Sequence, residues 1–300
     1  DAYLETCAAV GAGFFSQRMN QLTCNARYMD EVERVLYNNV LTGVSLSGDK
    51  YTYQNPLNTD KPDRWEWHVC PCCPPMFLKI MAAMPGYIYA YQGDNVYVNL
   101  FIGSEVRIPV GDNSVRLKQL TSYPWHGAVS IQVNPDKAST FSMKVRIPGW
   151  AQGTENPYDL YQSNLKAPVK LKVNQEDVLL RIVDGYAEIN REWKKGDHIE
   201  LELPMQPRLI TANKAVENLR GQVALASGPI IYCFEDADNP ELQTFKLQAQ
   251  TPLELSHDSN LLNGVNIIKC QGDIPAKAIP YYAVANREES HSYKVWIPQK

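Results

Sequence analysis

The densest chemistry in the chain is the run Cys70-Pro71-Cys72-Cys73-Pro74-Pro75. Thiolates are soft ligands that favour zinc. Adjacent cysteines rarely close on each other, because the disulfide geometry is strained. Such a cluster reads as a metal site or as reactive thiols rather than part of a disulfide framework. The odd total of seven cysteines argues the same way. Pro74-Pro75 suits a helix start, so Cys72 and Cys73 are expected at a helix N-terminus, where the dipole lowers a thiol pKa. A second signal is Glu5-Thr6-Cys7. Residues at i and i+2 do not share a helix face, but on a loop or first turn both can reach one ion. Glu5, Cys7, Cys72 and Cys73 make one four-ligand set. A set using Cys70 instead, or buried thiols without a metal, stays open on residue chemistry alone. His68 is expected as a solvated loop side chain near this site. His126, His198, His257 and His291 fall in β-like segments, and Cys24, Cys233 and Cys270 read as packed thiols.

The elements that must carry these residues change type along the chain. From Leu4 to Leu22 apolar residues recur at threes and fours (Leu4, Cys7, Ala8, Gly11, Phe14, Phe15, Met19, Leu22), the period of a helix face. Cys24-Asn25 breaks it. A second helix is predicted from Tyr28 to Leu41, with Met29, Val32, Val35, Leu36 and Val40 on one side. The stretch 46–62 is polar, with a turn at Ser47-Gly48-Asp49. A third helix runs from Pro74 to Pro85-Gly86. After Gly86, β-like runs follow at close spacing: 87–91, 96–101, 106–110, 115–120, 128–133, 140–147, 169–173, 178–182, 186–189 and 199–203, which is the pattern of a sandwich or barrel. A further segment begins near Pro207, with strands predicted at 223–226, 230–233, 281–284 and 293–297. The predicted fold class is mixed α and β in several domains: helices at 1–86, a β-sandwich at 87–205 and a second at 206–300. Helices over 1–86 do not easily bury their apolar faces alone, so they are expected to complete a larger helical domain.

Composition narrows the function classes. The 300 residues carry a formal net charge of −4 with both signs mixed, and no basic face announces nucleic acid. No apolar run reaches the length of a membrane-spanning helix. Seventeen Tyr and six Trp pack cores, but they also stack on sugar rings. The start at Asp1, without initiator Met or signal pattern, reads as a beginning partway through a larger protein.

Several motifs then stand in a telling order: Glu5-Thr6-Cys7-Ala8; Tyr28-Met29-Asp30 with Val32 to Asn39; Tyr53-Gln54-Asn55-Pro56-Leu57; the Cys70–Pro75 run; Ile147-Pro148-Gly149-Trp150-Ala151; and Gly221 to Leu225 with Gly228-Pro229. Together they resemble glycoside hydrolase family 127, the β-L-arabinofuranosidases and their relatives, over nearly the whole chain. The resemblance implies an (α/α)6 barrel followed by β-sandwich domains. It implies a Zn²⁺ held by Glu5, Cys7, Cys72 and Cys73, and Cys72 as the nucleophile of a retaining hydrolysis. It also associates Glu33 and Tyr53 with substrate contact. The implied partner is an oligosaccharide or plant-type glycan bearing β-linked L-arabinofuranose. A homodimer and a bacterial cytoplasm or periplasm are further expectations. Two departures stand out. The family's acid/base Glu lies ahead of the Glu-x-Cys motif, so the chain alone is expected to lack that proton donor. The family commonly has Asn after Cys-Cys-Pro-Pro, where this chain has Met76. A hydrolase for another branched or deoxy sugar, or a zinc-stapled non-catalytic β-sandwich fragment, remains the alternative.

Overall fold

The computed structural model describes residues 4–272 and 274–300, so Asp1 lies outside the described residues. The chain opens with three α-helices: α1 (Thr6–Thr23), α2 (Arg27–Val35) and α3 (Cys73–Ala83). Strands follow almost without interruption. The result is a mixed fold of few helices and many antiparallel strands, as the change of period near Gly86 predicts.

The helices are shorter or differently turned than the sequence suggests. α1 ends at Cys24, which adopts a left-handed conformation (φ 51°) and donates its N–H to the Asn20 carbonyl at 2.7 Å. Its buried face is Thr6, Val10, Gly13, Ser16, Gln17 and Asn20. This is not the predicted apolar face, of which Phe15 is 64% and Leu22 78% exposed. Hydrogen bonding explains the choice. Thr6 Oγ1 donates to the Thr52 carbonyl, and Asn55 donates to Thr6 Oγ1. At the far end, Asn20 Nδ2 donates to the Tyr186 hydroxyl. A polar helix side with fixed partners can turn inward, because its groups are satisfied there. α2 does not continue as one helix to Leu41. Leu36–Val40 forms a π turn and Leu41–Gly43 a 3₁₀ turn. Gly43 is required at that point, since a Cβ there would lie 2.7 Å from Thr6 Cγ2. Val10, Met29, Val32, Leu36, Val40, Ile80 and Met84 form the helices' own small core.

Two sheets face each other across the largest core. A five-stranded sheet has Ile182–Val183 and Tyr89–Gln92 as its edges, with Tyr186–Trp193, Ser139–Arg146 and Asn95–Val98 between them. The pairing of Asn95–Val98 with Ser139–Arg146 is parallel. A six-stranded antiparallel sheet runs from Glu176–Asp177 to Ser104–Val110. Ala128–Pro135 shows how sequence sets the faces: Val129, Ile131 and Val133 point inward while the residues between them do not. Of the run predicted at 178–182, only Ile182 joins a strand.

The last region departs from a second pair of stacked sheets. Its strands join one ten-stranded network. Alternate residues feed two cores, Leu225 and Tyr232 into one, Ala224, Ala226 and Cys233 into the other. Leu253–Asp258, Val265–Cys270 and Ala276–Pro280 are strands that the sequence reading passes over. Tyr281–Ala283, read as strand, is a 3₁₀ turn. Two segments from earlier in the chain enter this network. Asn58–Thr59, within the polar stretch, pairs with Tyr293–Lys294, and Tyr161–Ser163 pairs with Arg208–Ala212. The long polar stretch is thus pinned down at its end. No described helix is long and apolar enough to cross a membrane.

Candidate metal centre

Two helix N-termini meet at the cysteines. Glu5 is the N-cap of α1 in extended conformation, yet its side chain makes no capping bond. Cys7 lies in the first turn of the same helix. Cys72 is the N-cap of α3, Cys73 its first residue, and a proline follows in the first turn. The segment before α1 is held by antiparallel bridging of Glu5 to Gln54, with Thr6 N–H on the Tyr53 carbonyl at 2.9 Å. That pairing aims the Glu5 carboxylate at Cys72 instead of at its own helix.

The donor atoms of Glu5, Cys7, Cys72 and Cys73 all lie within 4.8 Å of one another. Cys7 Sγ is 3.1 Å from Cys72 Sγ and 3.6 Å from Cys73 Sγ. Cys72 Sγ is 3.9 Å from Cys73 Sγ and 3.4 Å from Glu5 Oε1. Cys73 is buried and the other three are half-buried. This is a donor set that can hold a metal ion. Cys70, the alternative ligand, is exposed and falls outside the group.

The expected lowering of the thiol pKa does not occur. Burial pushes Cys7 and Cys72 up to about 12, and Cys73 up to about 11. Desolvation, which disfavours the thiolate, is the largest influence on all three. The main influences on the three thiols beyond burial are one another, Glu5 and Cys70, none of them a cation. Such a group of soft donors, buried or half-buried and without positive charge among these influences, fits a metal cation.

An aromatic stack sits on the two segments that lead into the cluster: Cys70 N–H donates to His68 Nδ1, and the Tyr53 carbonyl accepts from Thr6 N–H. The rings of Trp65 and His68 stack with centroids 4.4 Å apart and an angle of 12°. Tyr53 lies against both, 5.2 Å from His68 and 6.5 Å from Trp65. His68 is therefore part of a stack and not the solvated loop side chain expected. Trp65 escaped the sequence reading, although the run Trp65-Glu66-Trp67-His68 just ahead of Cys70 was a usable signal. Met76 packs its side chain on the helical core, which gives it a structural reason to be apolar.

Glu33 is not brought to the cluster's donors. It is 1% exposed and its carboxylate is fully engaged. Arg146 Nη2 pairs with Oε1 at 2.5 Å, the Tyr123 hydroxyl donates to Oε1 at 2.8 Å, and Trp150 Nε1 donates to Oε2 at 3.3 Å. Arg146 also bonds Asp30 at 2.6 Å and the Asn99 carbonyl. Burial alone would lower the Arg146 pKa, but Glu33 and Asp30 together raise it. Glu33, which the sequence associates with substrate contact, meets these partners within the protein. Its oxygens are spent on an internal clasp that ties α2 to the five-stranded sheet.

Family models match the chain in three consecutive parts. Residues 1–86 match the GH127 catalytic domain of β-L-arabinofuranosidase, 95–205 its middle domain, and 207–298 the glycoside hydrolase family 127 C-terminal domain. A non-reducing end β-L-arabinofuranosidase of Bifidobacterium longum subsp. longum is 30% identical, over 95% of this chain and 48% of its own length. Two solved structures are similar across 100% of this chain and 50% of theirs. One is described as a GH127 β-arabinofuranosidase (35% identity, TM-score 0.93). The other is a GH127 β-L-arabinofuranosidase from Geobacillus stearothermophilus T6 (34% identity, TM-score 0.91). The chain spans about half the length of the relatives it matches. These matches, in chain order and over nearly every residue, place the chain in glycoside hydrolase family 127.

Proposed function

We propose that this chain carries the nucleophile and the metal site of a retaining glycoside hydrolase that releases β-linked L-arabinofuranose from plant-type glycans. The observation that carries the reading is the convergence of Glu5, Cys7, Cys72 and Cys73 within 4.8 Å. The family membership and the names of the relatives support the sugar. Zinc suits the donors: with Zn–S near 2.3 Å, tetrahedral geometry separates sulfurs by about 3.8 Å, against 3.1, 3.6 and 3.9 Å here. Bound zinc would keep the thiols as thiolates at neutral pH.

Cys72 Sγ attacks the anomeric carbon. A C–S bond forms as the glycosidic C–O bond breaks, and the leaving oxygen takes a proton from a carboxylic acid that the resemblance puts ahead of Glu5. Water then displaces the sulfur at the same carbon, and two inversions give net retention. Tyr53, stacked with His68 and Trp65, keeps its role as the residue proposed to touch the sugar. We read the chain as three units, 1–86, 87–205 and 206–300, with the first belonging to an (α/α)6 barrel. The uncovered apolar side of α1, with Phe15 and Leu22 exposed, supports that reading, since a barrel helix needs a neighbour there.

A second reading has an observation in its favour. Four protein donors close a tetrahedral site, which is the mark of structural zinc. The two readings separate on Cys72. Zinc analysis of wild type and Cys72→Ala is expected to show one ion per chain, weakened by the substitution. A furanose-shaped electrophile is expected to label Cys72 and none of the other cysteines. Labelling spread over Cys70 or Cys24, with Cys72 inert, would establish the structural reading instead.

A further inference from the structure

A second cavity lies at the other end of α1. It has a volume of about 380 Å³ and is lined by Tyr89, Tyr91 and Tyr97 with Asn20, Gln21 and Gln92. The remaining lining, Cys24 and Ala90, is equally uncharged. Asn20 is thirteen residues beyond Cys7 on one straight helix, so roughly 20 Å of helix separates the cavity from the thiol cluster.

The lining has a consistent character. Tyr91 is 58% exposed and offers an aromatic surface, and Gln21 and Gln92 are exposed beside it. Each amide side chain provides both donors and an acceptor. The floor is fixed: Asn20 Nδ2 donates to the Tyr186 hydroxyl at 2.9 Å, which donates to Asn99 Oδ1 at 2.7 Å. The Tyr89 hydroxyl is 3.0 Å from Ser104 Oγ. Tyr89–Gln92 is an edge strand, so one side of its backbone is free to bond a ligand. Pockets that hold small ligands run from about 300 to 1,000 Å³ and combine apolar walls with a few placed polar groups. An aromatic ring flanked by amides matches a sugar, whose ring carbons stack while its hydroxyls both donate and accept. The lack of a charged lining residue selects against uronic acids and phosphorylated ligands, because nothing there offsets the desolvation of a charge.

We propose that this cavity is a secondary binding site for a neutral glycan, distinct from the cysteine cluster, in which Tyr91 is the stacking platform. It would hold a more distant part of a branched substrate, or a neighbouring chain. The use of an arabinose probe rests on the function proposed above; the cavity does not.

The test is calorimetric titration of the chain with arabinotetraose, cellotetraose and tetragalacturonate, using wild type, Tyr91→Ala and Cys72→Ala. Tyr91 is exposed, so its loss should leave the fold intact, which the thermal midpoint checks. Cellotetraose, which offers no arabinose to the cysteine cluster, is expected to bind wild type and Cys72→Ala equally, and Tyr91→Ala about tenfold more weakly. Binding should also slow alkylation of Cys24, mapped by peptide, in wild type and not in Tyr91→Ala. Cellotetraose binding without arabinotetraose binding would keep the site and count against arabinose as the sugar. Absence of binding by either neutral glycan, an affinity unmoved by Tyr91→Ala, or equal binding of tetragalacturonate would overturn the proposal.

Discussion

The thiol cluster and the Asp30–Glu33–Arg146 clasp are built on neighbouring helices, yet they settle buried charge in opposite ways. The clasp contains its own cation. Arg146 is fully buried and shared between two carboxylates, with Tyr123 and Trp150 each adding a donor to one Glu33 oxygen. The cluster contains three thiols and a carboxylate, and its thiols stay protonated well above neutrality. The same ingredients, acidic groups at low dielectric, are complete in one place and lack a partner in the other. A self-sufficient network reads as structure. A network that lacks one sign of charge reads as a site.

The comparison breaks most visibly at Arg146. Arg146→Met leaves Glu33 and Asp30 buried without a cation, and removal of one partner from a buried pair costs about 3–5 kcal/mol. Urea unfolding should register that loss, together with undocking of α2 from the sheet; a change below 1 kcal/mol would mean that the clasp is not what holds them. On the other side, zinc at about a hundred times its Kd should stabilise the protein by about 2.7 kcal/mol. A thermal midpoint series should show this shift for wild type and for Cys70→Ala, and lose it in Cys73→Ala. Loss in Cys70→Ala as well would redraw the ligand set.

The pH behaviour follows from the raised thiols. In the metal-free protein burial pushes the Cys7 and Cys72 thiols up from an ordinary 9.0 to about 12. A raised folded value favours the folded state while the thiols are protonated. Stability is thus fully present below pH 9 and falls as pH rises from 9 towards 12. Denaturant midpoints across that window, with and without zinc, should diverge, because the bound ion removes the protons in advance. Parallel curves would deny the coupling. The smallest effect is the control: Arg220→Ala breaks an exposed pair with Glu217, and its stability should stay within about 0.5 kcal/mol of wild type.

Much of the site was legible because it is local. Cys72 and Cys73 are adjacent, Glu5 and Cys7 are two apart, and a proline marks the helix start. Their meeting across 65 residues was one of the ligand sets that residue chemistry left open, and the family resemblance singled it out. The aromatic run at Trp65–His68 was local and went unread. Glu33 shows the opposite case. A charge on a predicted helix gives no sign that Arg146, 113 residues away, will claim it. The helix order, the change of period at Gly86 and the strands of the five- and six-stranded sheets were largely visible in alternation. The strands at 253–280 were not: Val265–Cys270 and Ala276–Pro280 are buried at nearly every position, so they carry little alternation, while the short alternation Leu253-Glu254-Leu255 went unread. The burial of the polar side of α1 was invisible for a related reason: its partners, Thr52, Asn55 and Tyr186, lie far along the chain.

The pairing of Tyr161–Ser163 with Arg208–Ala212 has a practical consequence. Cutting the chain near residue 205 would remove a strand from the sheet that begins after it. The new terminus would carry an open row of N–H and C=O groups, a template for self-association. A fragment designed from residue 206 onward is therefore expected to come out of expression as oligomer or aggregate. The seam in this molecule follows its ladders, and a protein engineer looking for a clean place to divide it should cut along those and ignore the order of residues.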